Sequence, residues 1–239
     1  MCVAAIAWRA HPRWRLVAIG NRDEFHDRPA APLAEWNDGS GAIAGKDLRA
    51  GGTWLGVTAA GRFGLVTNFR VPGYPRPGLA SRGALVTDWL KGRPLPDIAA
   101  MNPFNLCLAD REGARILTNH PEPEAHELAP GVHGLSNGAF ARPWPKTRQL
   151  AGALEDWLGG GAEGPEPLFA ALRAENPLAQ EADEDGPELP FSPVFIRNEA
   201  YGTRCSTVAM IGHDGRGFIE ERSFDAQAGP IGARRIVLS

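Results

Sequence analysis

The sequence predicts a layered α+β fold. The chain runs strands first, helices in the middle and strands last, the order of an α+β domain rather than of alternating β–α units. Its opening strands are apolar on both alternating faces, so both faces of their sheet must be covered. With 239 residues and no segment that reads as a linker between two cores, the chain is expected to form one domain, 1–239.

The elements follow in order. Residues 2–8 (CVAAIAW) form the first expected strand and residues 16–20 (LVAIG) the second, joined across the charged, Pro-containing residues 9–15. Asn21, Arg22, Asp23 and Glu24 then close the apolar run, four strongly polar residues directly after the second strand. Short strands are expected at 53–58, 62–68, 105–109 and 114–119, with hairpin turns at 59–61 and 110–113. Helical spacing appears at 81–90, with Ser81 as a cap and Gly92 past the last turn. It recurs at 146–158, through Leu150, Leu154, Trp157 and Leu158, and at 166–175. Strands return at 194–198, 203–211 and 217–224, the last two joined by a turn at 213–216. The first and final strands are expected side by side in one sheet. Residues 180–190, acidic and Pro-containing, read as a surface loop.

Composition excludes several classes. Lys and Arg number 25 against 28 Asp and Glu, with no basic patch, so nucleic acid is not an expected partner. The three cysteines, Cys2, Cys107 and Cys205, are too sparse for a disulfide framework or a structural zinc site. The apolar stretch at 3–8 is too short for a signal peptide. No run approaches the ~18 apolar residues of a spanning helix, so no integral membrane segment and a cytoplasmic location are expected. No HExxH, CxxCH or GxSxG pattern is present, and neither a metal nor a hydrolase-type serine is expected.

Chemistry starts at Cys2. Removal of Met1 would leave a thiol beside a free α-amine whose reference pKa is about 8, and that amine can take the thiol proton. Alone, such a cysteine is more often simply a small buried strand residue. If the first two strands form a hairpin, Asn21–Asp23 reach the same end of the ladder as Cys2. Asp23 can then accept from the α-amine and Arg22 can orient it; a charged surface turn is the ordinary alternative. Asn68 and Asn137 follow apolar strands and could donate to an oxyanion, although Asn is also a routine turn residue. Arg204 enters a small, apolar strand and needs a carboxylate or ligand partner if buried; a strand-edge arginine in water is the ordinary alternative. Gly51-Gly52-Thr53-Trp54 places glycines where backbone can approach closely, and Trp54, Phe69 and Trp144 lie near these segments.

These motifs together resemble the NRDE family, the transport and Golgi organization protein two homologues. The resemblance rests on Cys2, Asn21-Arg22-Asp23-Glu24, Gly51–Gly56, Thr67–Arg70, Ser136-Asn137, Pro143-Trp144-Pro145-Lys146 and Tyr201–Arg204 with Ser206-Thr207. It implies an N-terminal-nucleophile hydrolase-like, four-layer αββα sandwich of two mostly antiparallel sheets. It further implies similarity to the cysteine enzymes that cleave linear amides, with Cys2, Asp23, Asn137 and Arg204 as the catalytic matches. Asn21, Arg22, Asn68 and Trp54 would then contact substrate. The implied activity is hydrolysis of an amide or thioester of a small acyl compound. The alternative is a non-catalytic carrier of haem or of a lipid or acyl ligand in the same pocket. No cofactor is required, and haem enters only as a ligand. Those amidases carry an Arg three residues before the Asp, where this chain has Gly20. Strand alternation should send Arg22 and Asp23 to opposite faces.

Overall fold

A computed structural model describes residues 2–161, 164–178 and 186–239. In chain order its strands begin with β1 (Cys2–Trp8), β2 (Trp14–Phe25), β3 (Ala30–Glu35), β4 (Ala42–Asp47), β5 (Leu55–Thr58) and β6 (Phe63–Asn68). After helix α1 (Gly83–Leu90) come β7 (Phe104–Ala109), β8 (Ala114–Thr118), β9 (Glu124–Glu127) and β10 (Gly131–Leu135). Helices α2 (Pro145–Gly159) and α3 (Glu166–Leu172) precede β11 (Tyr201–Gly212), β12 (Gly217–Phe224) and β13 (Pro230–Leu238).

Two antiparallel sheets result, ordered β10-β1-β2-β11-β12-β13 and β3-β4-β5-β6-β7-β8-β9. The double apolarity of β1 and β2 is what stacks them. Ala4, Ile6, Trp8, Leu16 and Ala18 face the second sheet and meet Leu55, Val57, Phe63 and Leu65. The alternate residues Val3, Ala5, Ala7, Val17 and Ile19 face outward onto Leu150, Leu154 and Trp157 of α2 and Leu168, Phe169 and Leu172 of α3. On the far side, Leu85, Val86 and Leu90 of α1 cover Phe104, Leu106 and Leu108. The layers are therefore helix, sheet, sheet, helix, as an α+β sandwich requires.

Several elements differ from the sequence expectation. β2 does not stop at Gly20 but runs on to Phe25, because its polar residues find partners inside the protein. β1 does not lie beside the final strands; β2 and β11 stand between. Residues 194–198 form no strand beyond one bridge, Arg197 to Gly202. Their apolarity reflects burial, and their amides are satisfied elsewhere, Phe195 N by Ala174 O at 2.9 Å and Ile196 N by Thr203 Oγ1 at 2.9 Å. Ser81 makes no side-chain cap on α1. The acidic stretch 180–190 lies mostly outside the described residues. Among the described residues no helix is long and apolar enough to cross a membrane.

Candidate functional site

Register brings the N-terminal motifs together. Cys2 pairs directly with Arg22 across the β1–β2 ladder, so the thiol begins where the Asn21–Glu24 segment passes. Side-chain alternation then separates the motif's tasks. Asn21 and Asp23 face the α2–α3 layer, whereas Arg22 faces the second sheet, like Ala18 and Leu16 before it.

A cavity of about 720 Å³ opens at this end of the sandwich, lined by Cys2, Arg22, Asp23, Trp54, Asn68 and Arg82. Arg22 is 4% exposed; its Nη2 pairs with Asp47 Oδ2 at 3.0 Å. The guanidinium lies 4.4 Å over the Trp54 ring, a cation–π contact strengthened by exclusion of water. The ring is seated on Gly45, where any Cβ would lie 2.4 Å from it. Arg28 Nε reaches the same Asp47 oxygen at 2.6 Å, so one carboxylate fixes two guanidinium groups. Gly52 allows the loop before Trp54 to lie against the start of α1, since a Cβ there would sit 2.5 Å from Gly83 backbone. That contact brings Arg82 to the cavity wall.

Asp23 is 2% exposed and its Oδ1 accepts from Thr203 Oγ1 at 2.7 Å. Burial pushes its carboxyl up to about 6, opposed most strongly by the positive charge of Lys146. Lys146 itself is 0% exposed and donates to Phe191 O at 3.3 Å. Burial pulls its ammonium pKa down, while Asp23 and Cys2 hold it up. A cation in the first turn of α2 faces the positive end of the helix dipole, so structural economy does not account for it. Lys146 was placed in the sequence only as a helix start and a family landmark. Nothing in periodicity marks a lysine as buried; the Trp144-Pro145-Lys146 run that opens α2 is the available signal.

Burial also pushes the Cys2 thiol up, and the Asp23 charge adds to this, while the Asp23 backbone N–H and Arg22 favour the thiolate. Cys107 is fully buried and pushed up to about 12. Cys205 is buried beside Glu221 and pushed well up by the same desolvation.

Three residues expected in the site are placed elsewhere. Asn21, expected to contact substrate, is buried and fully committed. Its Nδ2 donates to Leu172 O at 2.8 Å and Val194 O at 2.9 Å, and its Oδ1 accepts from Ser206 Oγ at 2.7 Å. Asn137, expected as the oxyanion donor, does not line the cavity, and its Nδ2 donates to Asn68 O at 2.7 Å. Its neighbour Asn68 lies on the cavity wall, as does Asn102, whose amide is committed to the Arg76 backbone. Arg204 is the extra residue of a β-bulge, between Thr203 opposite Asp23 and Cys205 opposite Arg22. The bulge turns it away from Cys2. Its Nη1 donates to Phe25 O at 3.0 Å and His26 O at 2.9 Å, and it lines a different cavity. No cluster of three or more metal-binding side chains occurs among the described residues.

Two solved structures share this architecture. The Caenorhabditis elegans N-acylethanolamine-hydrolyzing acid amidase ortholog aligns with a TM-score of 0.52 at 10% identity, over 87% of this chain and 92% of that one. The mutant C2A conjugated bile acid hydrolase from Clostridium perfringens aligns with a TM-score of 0.52 at 8% identity, over 100% of this chain and 92% of that one. At such identities the likeness is one of fold, and the fold is that of the N-terminal-nucleophile hydrolases. In sequence, the mouse Transport and Golgi organization 2 homolog is 30% identical over 257 residues, 93% of each chain. The human homolog is 30% identical over 263 residues, also 93% of each. The Drosophila melanogaster protein is 27% identical over 260 residues, 92% of each. The family model for Transport and Golgi organisation 2 matches residues 1–226, and the chain belongs to that family.

Proposed function

We propose that this protein is an N-terminal-cysteine hydrolase that cleaves an amide or thioester of a small acyl compound. One observation carries the reading: the cavity that Cys2 opens onto also holds Asp23, a buried carboxyl tuned to about 6, coupled to the buried amine of Lys146. Paired groups with environment-shifted pKa values are a mark of reaction sites.

Once Met1 is removed, the α-amine of Cys2 takes the thiol proton, and the thiolate attacks the acyl carbonyl. A C–S bond forms and negative charge develops on the carbonyl oxygen, to which Asn68, a residue of the cavity wall, would donate. Collapse breaks the bond to the amine or thiol leaving group, and the ammonium returns the proton to it. Water then attacks the acyl-cysteine with the same amine as base, releasing the carboxylic acid and restoring the thiol. Asp23 orients the amine, Lys146 favours the ionised form of Asp23, and Arg22 supplies positive charge on the thiol's own side of the sheet. The two hydrolases that share the fold are named for amide-type substrates, which supports an acyl compound here.

The test is an intact-mass measurement followed by trapping with a thiol-directed acyl probe. The expected result is a chain lacking Met1 that acquires one acyl group at Cys2. A purified protein that keeps Met1 has no α-amine on Cys2, and the mechanism fails.

The placement of Arg22, paired with Asp47 and stacked on Trp54 on the face opposite Asp23, favours a second reading, a carrier that holds haem or an acyl-type ligand without turning it over. Spectral titration with haem decides. Stoichiometric binding that survives Cys2→Ala, with no acyl hydrolysis, supports the carrier; no binding in the micromolar range removes it.

A further inference from the structure

Arg204 and Cys205 have no part in the Cys2 cavity, yet they line one of their own. It occupies about 330 Å³ between the sheets, bounded by β3, the β11 bulge, β12 and β13, at the small end of the usual ligand-cavity range. Arg22 and Trp54 line both cavities and form the wall between them.

The cationic side chains here outnumber their partners. Arg204 and Arg234 hydrogen-bond only to backbone carbonyls, those of Phe25 and His26 for the first and of Leu33 at 3.3 Å for the second, although the Arg234 charge is also felt by Glu221. Among the described residues neither has a carboxylate within ion-pair distance. The Arg204 Nε is buried with no hydrogen-bond partner. Arg22, 4% exposed, leaves its Nη1 buried and unpaired in the shared wall. A buried donor left unsatisfied is costly, and such a cost is tolerated where a ligand relieves it.

The one acidic residue on the lining is Glu221, which is already committed. Its Oε1 accepts from Leu33 N at 2.8 Å, and the Cys205 thiol also bonds to the carboxyl. The remaining lining is small and apolar, including Ala30, Ala31 and Ile231.

We propose that this cavity is a second ligand site, for a small organic carboxylate whose head pairs with Arg204 and Arg234 and whose short apolar tail lies on β3 and β13. The site stands whether or not Cys2 is catalytic. Because Arg22 stacks on Trp54 in the shared wall, an anion bound here draws on the same guanidinium that faces Cys2.

The test is calorimetric and fluorescence titration of butyrate into the full chain at fixed ionic strength, with chloride as the balancing anion. Saturable one-site binding is expected, weakened at least fivefold by Arg234→Gln and tightened by Glu221→Gln, which keeps an acceptor for Leu33. Arg234 is an exposed edge-strand residue, so its variant reports on binding even if Arg204→Lys folds poorly. Arg82→Gln, on the Cys2 cavity alone, should leave butyrate affinity intact. The fluorescence change should disappear in Trp54→Phe. Absence of saturable binding overturns the proposal. So does binding that Arg82→Gln weakens and Arg234→Gln does not, because the carboxylate then sits beside Cys2. Binding with an unchanged signal in Trp54→Phe removes the shared wall.

Discussion

Asp23→Asn should abolish a loss of stability that the parent suffers as pH rises from 3.8 to about 6. Asp23 is buried on the helix-facing side of β2, and its Oδ1 accepts from Thr203 Oγ1, an interaction that an Asn oxygen can reproduce. In the folded protein burial raises the carboxyl from 3.8 to about 6. The sign follows from proton binding. Between these values the folded state holds a proton that the unfolded state has released, so stability falls as pH rises through the window. Below about 3.8 both states are protonated and the penalty is absent; above about 6 it is present in full. At 1.36 kcal/mol per unit, the displacement corresponds to about 3 kcal/mol. Urea unfolding of both proteins from pH 3.5 to 8, compared at each pH, isolates Asp23 from Glu221 and the other carboxyls common to both. The Asn variant should gain about 3 kcal/mol relative to the parent between the two ends of the range while losing acylation of Cys2. A pH-independent difference would refute the claim that Asp23 is held in an unfavourable ionised state, and with it the assignment of Asp23 as a tuned group.

Other expectations follow from the same geometry. Lys146→Met should raise the Asp23 carboxyl further, because it removes the strongest influence opposing burial; carbonyl-region infrared titration should move the Asp23 midpoint upward, and an unmoved midpoint would separate the two groups. Limited iodoacetamide treatment with peptide mapping should label Cys2 before Cys205 and Cys107, since the latter two are buried and raised; earlier labelling of Cys205 would shift the nucleophile to the second cavity. Asn21→Ala orphans two carbonyls and a hydroxyl and should cost roughly 2–4 kcal/mol by chemical denaturation, against near-neutrality if the segment were a surface turn. Gly45→Ala should displace the Trp54 ring, which a Cβ meets at 2.4 Å, costing about 1–3 kcal/mol and altering near-UV circular dichroism; an unchanged spectrum would mean the ring is not seated there.

The parts of the fold legible in the sequence were those that bury apolar side chains at a regular period. β1, β6, β7 and β12 and the long helix α2 carry such patterns, and each was expected within a residue or two of its observed bounds. The strands that escaped notice lie mostly at or near sheet edges. β9 is Glu124–Glu127, exposed throughout, and β13 exposes all but Ile236 and Leu238, so neither carries an apolar alternation. Edge strands in water are commonly polar for this reason. β3 and β4 give no strand signal because they are rich in Ala, β3 carries a proline, and their pairing shifts register between Ala31 and Ala34. On the cavity wall, Arg22 and Asp23 are legible beside Cys2 because hairpin register sets them there, whereas Trp54 and Asn68 come to the site only through the family resemblance. Lys146 and Arg82 are not legible, because helix packing across layers has no local sequence signature.

The Asn21–Glu24 segment shows why a polar run can end a pattern without ending a strand. Each residue meets a different environment by alternation alone. Asn21 ties β2 to the end of α3 and the segment at Val194, Arg22 reaches across to Asp47 in the other sheet, and Asp23 returns to the helix side near Lys146. Because the side-chain period is two, a slip of one residue would point Asp23 into the inter-sheet layer and Arg22 into the helix layer. The register is fixed against that slip by Cys2 opposite Arg22 on one flank and by the Arg204 bulge on the other. The bulge matters because it restores Thr203 to the side of Asp23 after Cys205 has faced Arg22. Were Arg204 held in a regular ladder instead of bulged, it would stand opposite Asp23 and Thr203 opposite Glu24, and the hydroxyl that donates to the Asp23 carboxylate would face away from it. Arg204 thus contributes to the Cys2 site through the backbone offset it introduces, while its side chain serves the cavity on the other side of the wall.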